Sequence, residues 1–343
     1  MQTAATTFIF TGIIMSTIIV ASSNSWPLAW VGLELNLFAI LPVISKTKHP
    51  RSIEAATKYF ITQITASCLL LSASIINAWQ TGTWSITQTH GTISTTIMLI
   101  ALTMKMGASP THFWLPEVMQ GTTLMTSLLI STWQKIAPMI LLFTMSNHIQ
   151  SNISLILGLL STLVGGWGGM NQTQLRKMMA FSSIANTGWT LMTIASEPKT
   201  SITNLFLYIL LTTPTFITLA RTSTKTLQDM TTIWTTSTTT SITLMFLMLS
   251  IAGLPPLTGF MPKLLILNEL VIQNLAPAAM MTTMTSLLTL VFYLRITYLT
   301  AILSPPNSST STIKWRQNMN NTTMATLTPT ATMSMPVFPT LYY

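Results

Sequence analysis

Stretches of about 20 mostly apolar residues recur along nearly the whole chain, and they constrain its fold more than any other feature. A helix needs about 20 such residues to cross the hydrocarbon core of a bilayer. Only 6% of the 343 residues are charged, whereas an average soluble domain carries about 25%. We therefore expect an all-α polytopic membrane protein.

The apolar stretches divide into ten predicted transmembrane helices and a weaker eleventh. They cover residues 3–21, 26–45, 55–79, 92–117, 122–145, 153–170, 175–196, 202–221, 236–272, 276–303 and 322–342. The eleventh is irregular because Thr, Pro and Ser interrupt it, and a polar segment at 305–321 comes before it. Residues 1–343 then form a single transmembrane domain.

Glycine and proline interrupt two of these helices beside a lysine. In the fourth, Lys105 is followed by Gly107 and Pro110. In the ninth, Lys263 comes after Gly253, Pro255, Pro256 and Gly259. Proline removes an intrahelical hydrogen bond and clashes with the preceding turn, so both helices should break. A break at membrane depth is tolerated where it is buried in protein or lines a wet cavity. For the fourth helix, the alternative is an end at the membrane surface with a snorkelling lysine.

The two interrupted helices are the fourth and the ninth, so they cross the membrane in opposite directions. Interrupted segments in matching positions of two halves point to a transport pathway. The pattern predicts two inverted five-helix repeats, residues 1–150 and 151–303. Residues 304–343 then form a polar connector and a C-terminal helix.

Four ionisable residues fall near the middle of predicted helices: Glu34, Lys105, Lys135 and Lys263. Each costs about 2.5–3.5 kcal/mol to insert, and such residues mark ion or proton pathways. Burial disfavours the charged form of a lysine, so we expect these groups and water to form a proton relay. The alternative is a set of packing salt bridges, which would leave one acid to neutralise three lysines.

Three further residues are weaker candidates for the relay. His112 follows the predicted break in the fourth helix, and it could pass protons or lie at the interface beside Trp114. Arg295 could take part or snorkel to the surface. For Lys58, near the start of the third helix, snorkelling is the better interpretation.

Basic residues are divided unevenly between the loops. Loops after odd-numbered helices carry Lys199 alone, and those after even-numbered helices carry Lys46, Lys48, Arg51, Arg176, Lys177, Arg221, Lys225, Lys314 and Arg316. The positive-inside rule places this second set, and the N-terminus, on the inner side. With eleven helices, the C-terminus lies outside.

Several other classes of function find no support in the sequence. The net charge of +9 does not indicate nucleic-acid binding, because the basic residues form no patch with interleaved aromatic residues. A single cysteine, Cys68, excludes an internal disulfide and a thiolate metal site. No nucleotide loop, nucleophile motif or metal-ligand set is present. The N-terminus lacks the features of a signal peptide, so we expect the first helix to be retained.

Three motifs together resemble a known family. KMGASPTHFWLPEVMQG at 105–121, QLRKMMAFSSIANTGW at 174–189 and AGLPPLTGFMPK at 252–263 are similar to the antiporter-like membrane subunits of respiratory complex I. The resemblance covers essentially the whole chain. It implies eleven helices in the mitochondrial inner membrane, with the N-terminus in the matrix and the C-terminus on the intermembrane side.

The resemblance also assigns roles to residues. Glu34 and Lys105 match the family's acid–lysine pair, Lys135 its central lysine, and Lys263 the terminal group of its half-channel. Asn186 stands where relatives commonly have histidine, and its amide cannot titrate. By the same resemblance, this chain binds no cofactor: FMN, iron–sulfur clusters and ubiquinone belong to other subunits. Its expected partners are the membrane and accessory subunits of complex I and membrane phospholipids.

Three functions stay open on the sequence. The first is a proton-translocating membrane subunit of the NADH:ubiquinone reductase. The second is an autonomous cation/proton antiporter, against which the absence of a substantial soluble domain argues. The third is a structural membrane scaffold whose buried charges have no transport role.

Overall fold

The computed structural model of the chain describes residues 2–89, 91–236, 238–302 and 322–333. These residues form helices and loops and contain no β-strand. The α-helices are α1 (Gln2–Ser22), α2 (Trp26–Ile44), α3 (Pro50–Thr81), α4 (Thr92–Met106), α5 (Trp114–Gly121), α6 (Leu124–Ser131), α7 (Trp133–Thr144), α8 (Ser151–Met170), α9 (Leu175–Thr193), α10 (Pro198–Thr222), α11 (Leu227–Met230), α12 (Ile233–Thr236), α13 (Thr238–Ala252), α14 (Phe260–Ile272), α15 (Ala276–Ala301) and α16 (Thr322–Met333).

Among the residues that the structure describes, six helical stretches are long and apolar enough to cross a membrane. They are Trp26–Ile44, Pro50–Thr81, Leu124–Thr144, Ser151–Met170, Pro198–Thr222 and Ala276–Ala301, with shorter apolar helices at Thr6–Ser22, Thr92–Met106 and Thr238–Ala252. Large apolar side chains such as Phe8, Trp79 and Met280 are exposed on these helices, as a membrane-facing surface requires. The prediction of an all-α membrane protein is confirmed at this level.

Three predicted helix limits need correction or lie outside the described residues. The third helix was predicted at 55–79 but runs over Pro50–Thr81, because His49 caps its first turn by accepting a hydrogen bond from the Arg51 amide. The fifth was predicted as continuous but is divided at Thr132 into α6 and α7. The last predicted helix is helical over Thr322–Met333; its remainder, 334–342, and the polar connector, including Lys314 and Arg316, lie outside the described residues.

The interruption at Thr132 has a local cause. Pro138 lies inside α7, and a proline ring clashes with the carbonyl group of the residue four positions before it. The amide and the hydroxyl of Thr132 both donate to the Leu128 carbonyl, at 3.0 and 2.7 Å, so the last turn of α6 stays closed before the interruption. The sequence predicted a continuous helix over 122–145, although Pro138 lies within it.

Most of the buried serine and threonine hydroxyls donate hydrogen bonds within their own helices. Ser74 donates to the Leu71 carbonyl at 2.7 Å, and Thr218 donates to the Thr215 carbonyl at 2.8 Å. An unsatisfied hydroxyl in an apolar environment is costly. Bonding back to the preceding turn removes that cost, so a threonine-rich chain can form buried helices.

The first break, residues 107–113, separates α4 from α5. Gly107 has a φ of 76°, which glycine adopts without the steric cost of a Cβ atom. The Ala108 amide donates to the Thr103 carbonyl at 3.0 Å, so the helix closes in a Schellman-type turn. The peptide bond from Ser109 to Pro110 is cis.

The second break, residues 253–259, separates α13 from α14 in the same way. Gly253 has a φ of 81°, and the Leu254 amide donates to the Leu249 carbonyl at 3.4 Å. The peptide bond from Pro255 to Pro256 is cis. Each broken helix thus ends at a glycine and restarts after a proline-containing loop of equal length.

The chain divides into two compact units. The first contains Met1–Ser161 and Thr190–Lys199, and the second contains Thr162–Trp189 and Thr200–Tyr343. In the first unit α3 packs against α2, α4 and α5, and α4 also packs against α7. In the second unit α15 packs against α11, α13 and α14. Each unit contains one of the breaks.

Glycines in α8 allow close helix packing inside the second unit. A Cβ atom on Gly165 would lie 2.6 Å from the backbone nitrogen of Ala185 in α9, and one on Gly169 would lie 2.9 Å from the ring of Phe292 in α15. Small residues at membrane helix interfaces allow this approach.

Candidate functional site

Lys105 lines a cavity inside the first unit. It lies one residue from the end of α4, and only 5% of its surface is exposed. The other lining residues come from α2, α3 and α7, and they are Leu33, Asn36, Leu37, Tyr59, Gln63, Gln134 and Pro138. Because four of these seven are polar, the cavity offers several hydrogen-bond partners to water beside a lysine.

Polar side chains join the helices around this cavity. Gln134 donates through Nε2 to Oδ1 of Asn36 at 3.0 Å, and the Tyr59 hydroxyl donates to Oε1 of Gln134 at 3.4 Å. Gln63 donates through Nε2 to the backbone carbonyl of Lys105 at 3.3 Å. These four side chains were not predicted from the sequence. The available signal was a polar residue inside an apolar helix, a residue type that bonds across membrane helices.

Glu34 and Lys105 do not form a direct ion pair, although both belong to the described part of the chain. Their charged atoms lie more than 4.0 Å apart. Glu34 lies on α2, two residues before Asn36 of the cavity. Glu34 thus comes from a helix that lines the cavity at Lys105, without forming an ion pair with that lysine.

Lys135 is almost completely buried, with 1% of its surface exposed. It lies in the first turn of α7, and its amide donates to the Thr132 carbonyl at 3.2 Å, across the point where α6 ends. Gln134, the preceding residue, belongs to the polar network of the cavity. The network therefore reaches the residue next to the central lysine.

Lys263 lines a cavity inside the second unit. The other lining residues are Asn186, Asn204, Leu207, Tyr208, Leu211, Ile251, Gly259 and Pro262. The Lys263 ammonium group donates a 2.6 Å hydrogen bond to the carbonyl of Ala252, the last residue of α13. Carbonyl groups at a helix C-terminus lack intrahelical partners and carry partial negative charge, so the site suits a protonated lysine.

Asn186 lies in the same cavity as Lys263. Its Nδ2 donates to the Ser182 carbonyl at 2.9 Å, and its own backbone carbonyl accepts a 3.4 Å bond from Asn204. An amide binds water as donor and acceptor but does not titrate. This position can therefore hold water beside Lys263 without exchanging its own proton.

The comparisons with known proteins decide the family. The model for the transmembrane domain of NADH:quinone oxidoreductases and Mrp antiporters matches residues 23–289, and the model for the C-terminus of NADH dehydrogenase subunit 2 matches residues 290–342. NADH-ubiquinone oxidoreductase chain 2 of Aquarana catesbeiana is 47% identical over 342 residues, which cover 99% of each chain. The chain belongs to the NADH-ubiquinone oxidoreductase chain 2 family.

Two further matches agree with this assignment. The chain 2 protein of Gallus gallus is 48% identical over 328 residues and 95% of each chain. Among solved structures, a chain of respiratory complex I from Thermus thermophilus with bound aureothin matches with a TM-score of 0.83 at 21% identity, over 96% of this chain and 78% of that one. The fold of this chain 2 family member is therefore that of a complex I membrane subunit.

Two weaker candidates occupy different surroundings in this chain 2 family member. His112 has 7% of its surface exposed, and its Nδ1 atom lies 3.2 Å from the Pro110 carbonyl oxygen. It is thus a buried residue of the first break. Arg295 is exposed, and its guanidinium group donates to the carbonyl of Met170, the last residue of α8, at 3.3 Å. This contact favours a helix-capping role for Arg295.

Lys58, for which we expect snorkelling, has two carboxylate partners. Its ammonium group forms ion pairs with Glu54, one turn earlier on α3, and with Glu117 on α5, at 2.6 Å for the second. The expectation overlooked Glu117 because the break brings α5 back against α3. All three side chains are partly exposed.

Proposed function

We propose that this chain is the antiporter-like membrane subunit of respiratory complex I in the mitochondrial inner membrane, and that its buried lysines carry protons. The cavity at Lys105 is the observation that supports this most. It joins a buried lysine to neutral polar side chains, and no carboxylate of the described residues forms an ion pair with that lysine. Charges inside membrane domains mark proton and ion pathways.

Lys105 is the proton-holding group of the first unit. Either protonation state of its amine finds hydrogen-bond partners in the cavity, where water can bind to Gln63 and Gln134. Glu34 acts on Lys105 through space, so a proton gained or lost at the carboxylate changes the free energy of the proton on the lysine. Gln134 leads toward Lys135, which receives the proton from the cavity.

Lys263 is the corresponding proton-holding group of the second unit. Its bond to the Ala252 carbonyl holds the protonated form, and Asn186 and Asn204 in the same cavity hold water that accepts its proton. A titrating neighbour is not required for this step, because water can carry the proton between groups. Asn186 in place of the family's usual histidine is compatible with this role.

Redox chemistry belongs to other subunits under this proposal. NADH oxidation and quinone reduction use FMN, iron–sulfur clusters and ubiquinone bound there, and this chain binds none of them. Its partners are the membrane and accessory subunits and membrane phospholipids. The N-terminus faces the matrix and the C-terminus faces the intermembrane space, as the loop charges predict.

The two broken helices support an inverted repeat of five helices each, followed by a C-terminal helix. The number of residues from Gly107 to Gly253 equals the number from Pro110 to Pro256. It also equals the number from Trp114 to Phe260, where the helices restart after the breaks. Equal breaks in the fourth and ninth of eleven predicted spans would cross the membrane in opposite directions.

Native electrophoresis tests the proposed assembly against the two alternatives. The chain should migrate with a large complex that contains flavin and iron–sulfur clusters and oxidises NADH. The purified chain in liposomes should exchange no cations for protons. Exchange by the isolated chain would indicate an autonomous antiporter. Normal pumping after each lysine is replaced would instead support a structural scaffold.

A further inference from the structure

Lys58 joins two helices through one ammonium group. It forms an ion pair with Glu54 on its own helix and a second, at 2.6 Å, with Glu117 on α5. Only the second pair connects α3 to the short helix that restarts the chain after the first break. Glu54 is therefore a suitable control position, because its carboxylate binds the same lysine without linking two helices.

The ion pair lies near one end of α3. This helix has 32 residues and at about 1.5 Å per residue is about 48 Å long, longer than the hydrocarbon core of about 30 Å. The helix is therefore too long to lie wholly within the core, and we place its first turns, which carry Glu54 and Lys58, at the membrane interface because that is where long charged side chains reach water. Charges there are less well solvated than in bulk water, so their pairing has more effect than at a soluble surface.

Three contacts in successive turns hold α5 against α3. Trp114 packs edge-on against Tyr59 with ring centroids 5.6 Å apart. Glu117 pairs with Lys58 one turn later. Gly121 comes so close that a Cβ atom there would lie 2.6 Å from the carbonyl oxygen of Arg51. Trp114, Glu117 and Gly121 occupy one face of α5 by helical spacing. The ion pair is the only charged contact of the three.

The same face of α5 reaches the cavity at Lys105. Trp114 packs on Tyr59, and Tyr59 lines that cavity and donates to Gln134. A shift of α5 along α3 would therefore displace a wall of the cavity. Residues 107–113, the first break, join α4 to α5 and are not helical, so the regular helical hydrogen-bond ladder that would resist such a shift is interrupted there.

We propose that Lys58 is a positioning residue: by pairing with Glu117 it fixes α5 on α3, and so sets the shape of the break and of the cavity at Lys105. This rests on the proposed proton path through Lys105. Glu117 and Lys263 are separated by the same number of residues as Gly107 and Gly253, so they occupy matching positions after the two breaks. The charged residue at this matched position is thus anchored in each unit, by Glu117 to a neighbouring helix and by Lys263 to the helix before the break.

The test uses the assembled complex in inner-membrane vesicles and two independent measurements. Hydrogen exchange of amides 107–121 reports the position of α5, and protons translocated per NADH oxidised report the path. Lys58→Met and Glu117→Gln should each speed exchange by about threefold or more and lower the proton ratio. Glu54→Gln, the matched control, should change neither by more than about twofold.

Charge reversal separates a specific pair from general damage. In the Glu54→Gln background, Lys58→Glu combined with Glu117→Lys should restore both measurements, whereas each reversal alone should impair both. Unchanged exchange in Lys58→Met and Glu117→Gln would overturn the proposal. Faster exchange with an unchanged proton ratio would also overturn it, since α5 would then move without affecting the path. Neither result bears on the proton path itself, which replacement of Lys105 tests separately.

Discussion

The ammonium group of Lys263 donates a 2.6 Å hydrogen bond to the carbonyl oxygen of Ala252, so the lysine that follows the second break caps the helix that precedes it. Gly253 directly follows Ala252, and a Cβ atom on Gly253 would lie 2.9 Å from Nζ of Lys263. The glycine is therefore needed twice, once for its positive φ and once for the space that the lysine occupies.

Gly253→Ala should impair proton translocation more than an equally strained control. The substitution forces a left-handed backbone on alanine, which costs about 1–2 kcal/mol, and its methyl group displaces Lys263 from the Ala252 carbonyl. Gly82→Ala is the control, because Gly82 has a φ of 70° and open space around its missing Cβ. Protons translocated per NADH oxidised should fall in Gly253→Ala alone. Equal losses in both variants would show that backbone strain, and not Lys263, is responsible.

The loop charges predict the side of the membrane that each loop faces. Lys46 follows α2 and Lys199 lies in the first turn of α10, and both are exposed. The charge asymmetry places them on opposite sides of the membrane. A membrane-impermeant amine reagent should label Lys46 from the matrix side and Lys199 from the intermembrane side. Labelling of both lysines from one side, or in the reverse sense, is the outcome that contradicts this orientation.

Much of the fold followed from residue patterns because it depends on local chemistry. Apolar length located the helices, and Lys105 and Lys263 were placed beside glycine and proline residues that cannot continue a helix. Both lysines line cavities. The residue pattern does not show a cavity directly. Its one indication is that a buried lysine charge is costly and so needs polar surroundings.

Contacts between distant residues could not be predicted in the same way. Lys58 and Glu117 approach each other only because α5 folds back onto α3, and no local pattern specifies that pairing. The bond from Tyr59 to Gln134 likewise joins α3 to α7. Polar residues in apolar helices signal that some partner exists, but its identity depends on helix packing.

Asp229 stabilises the loop before α11 in a pH-dependent way. Burial acts to raise the pKa of its carboxyl group, but hydrogen bonds from the amides of Thr226 and Lys225, at 2.9 and 3.0 Å, outweigh this and lower the pKa below its usual value. The folded state therefore gains stability from the ionised carboxylate above the unfolded pKa of about 3.9, and loses it as the pH falls through the lower, folded pKa.

Asp229→Ala should destabilise this loop at neutral pH by about 0.5–1 kcal/mol, at the low end for a helix cap because the carboxylate is exposed. Hydrogen exchange of amides 225–230 should be faster in the variant at pH 7, and the difference from the native chain should shrink as the pH falls below about 4. Gln228→Ala, at the exposed neighbouring position, is the control. A difference that persists unchanged into acid would show that the carboxylate charge has no part in it.

Replacement of Lys105 by methionine tests the proton path most directly. Lys105→Met keeps the volume of the buried side chain and removes its charge, so the cavity stays filled and loses its proton-holding group. Lys46→Met, in an exposed loop, is the control. The measurement is the number of protons translocated per NADH oxidised, in vesicles matched for assembled complex by flavin content. The ratio should fall in Lys105→Met and stay normal in Lys46→Met. A normal ratio in Lys105→Met at full assembly would contradict the account, because Lys105 would then be structural.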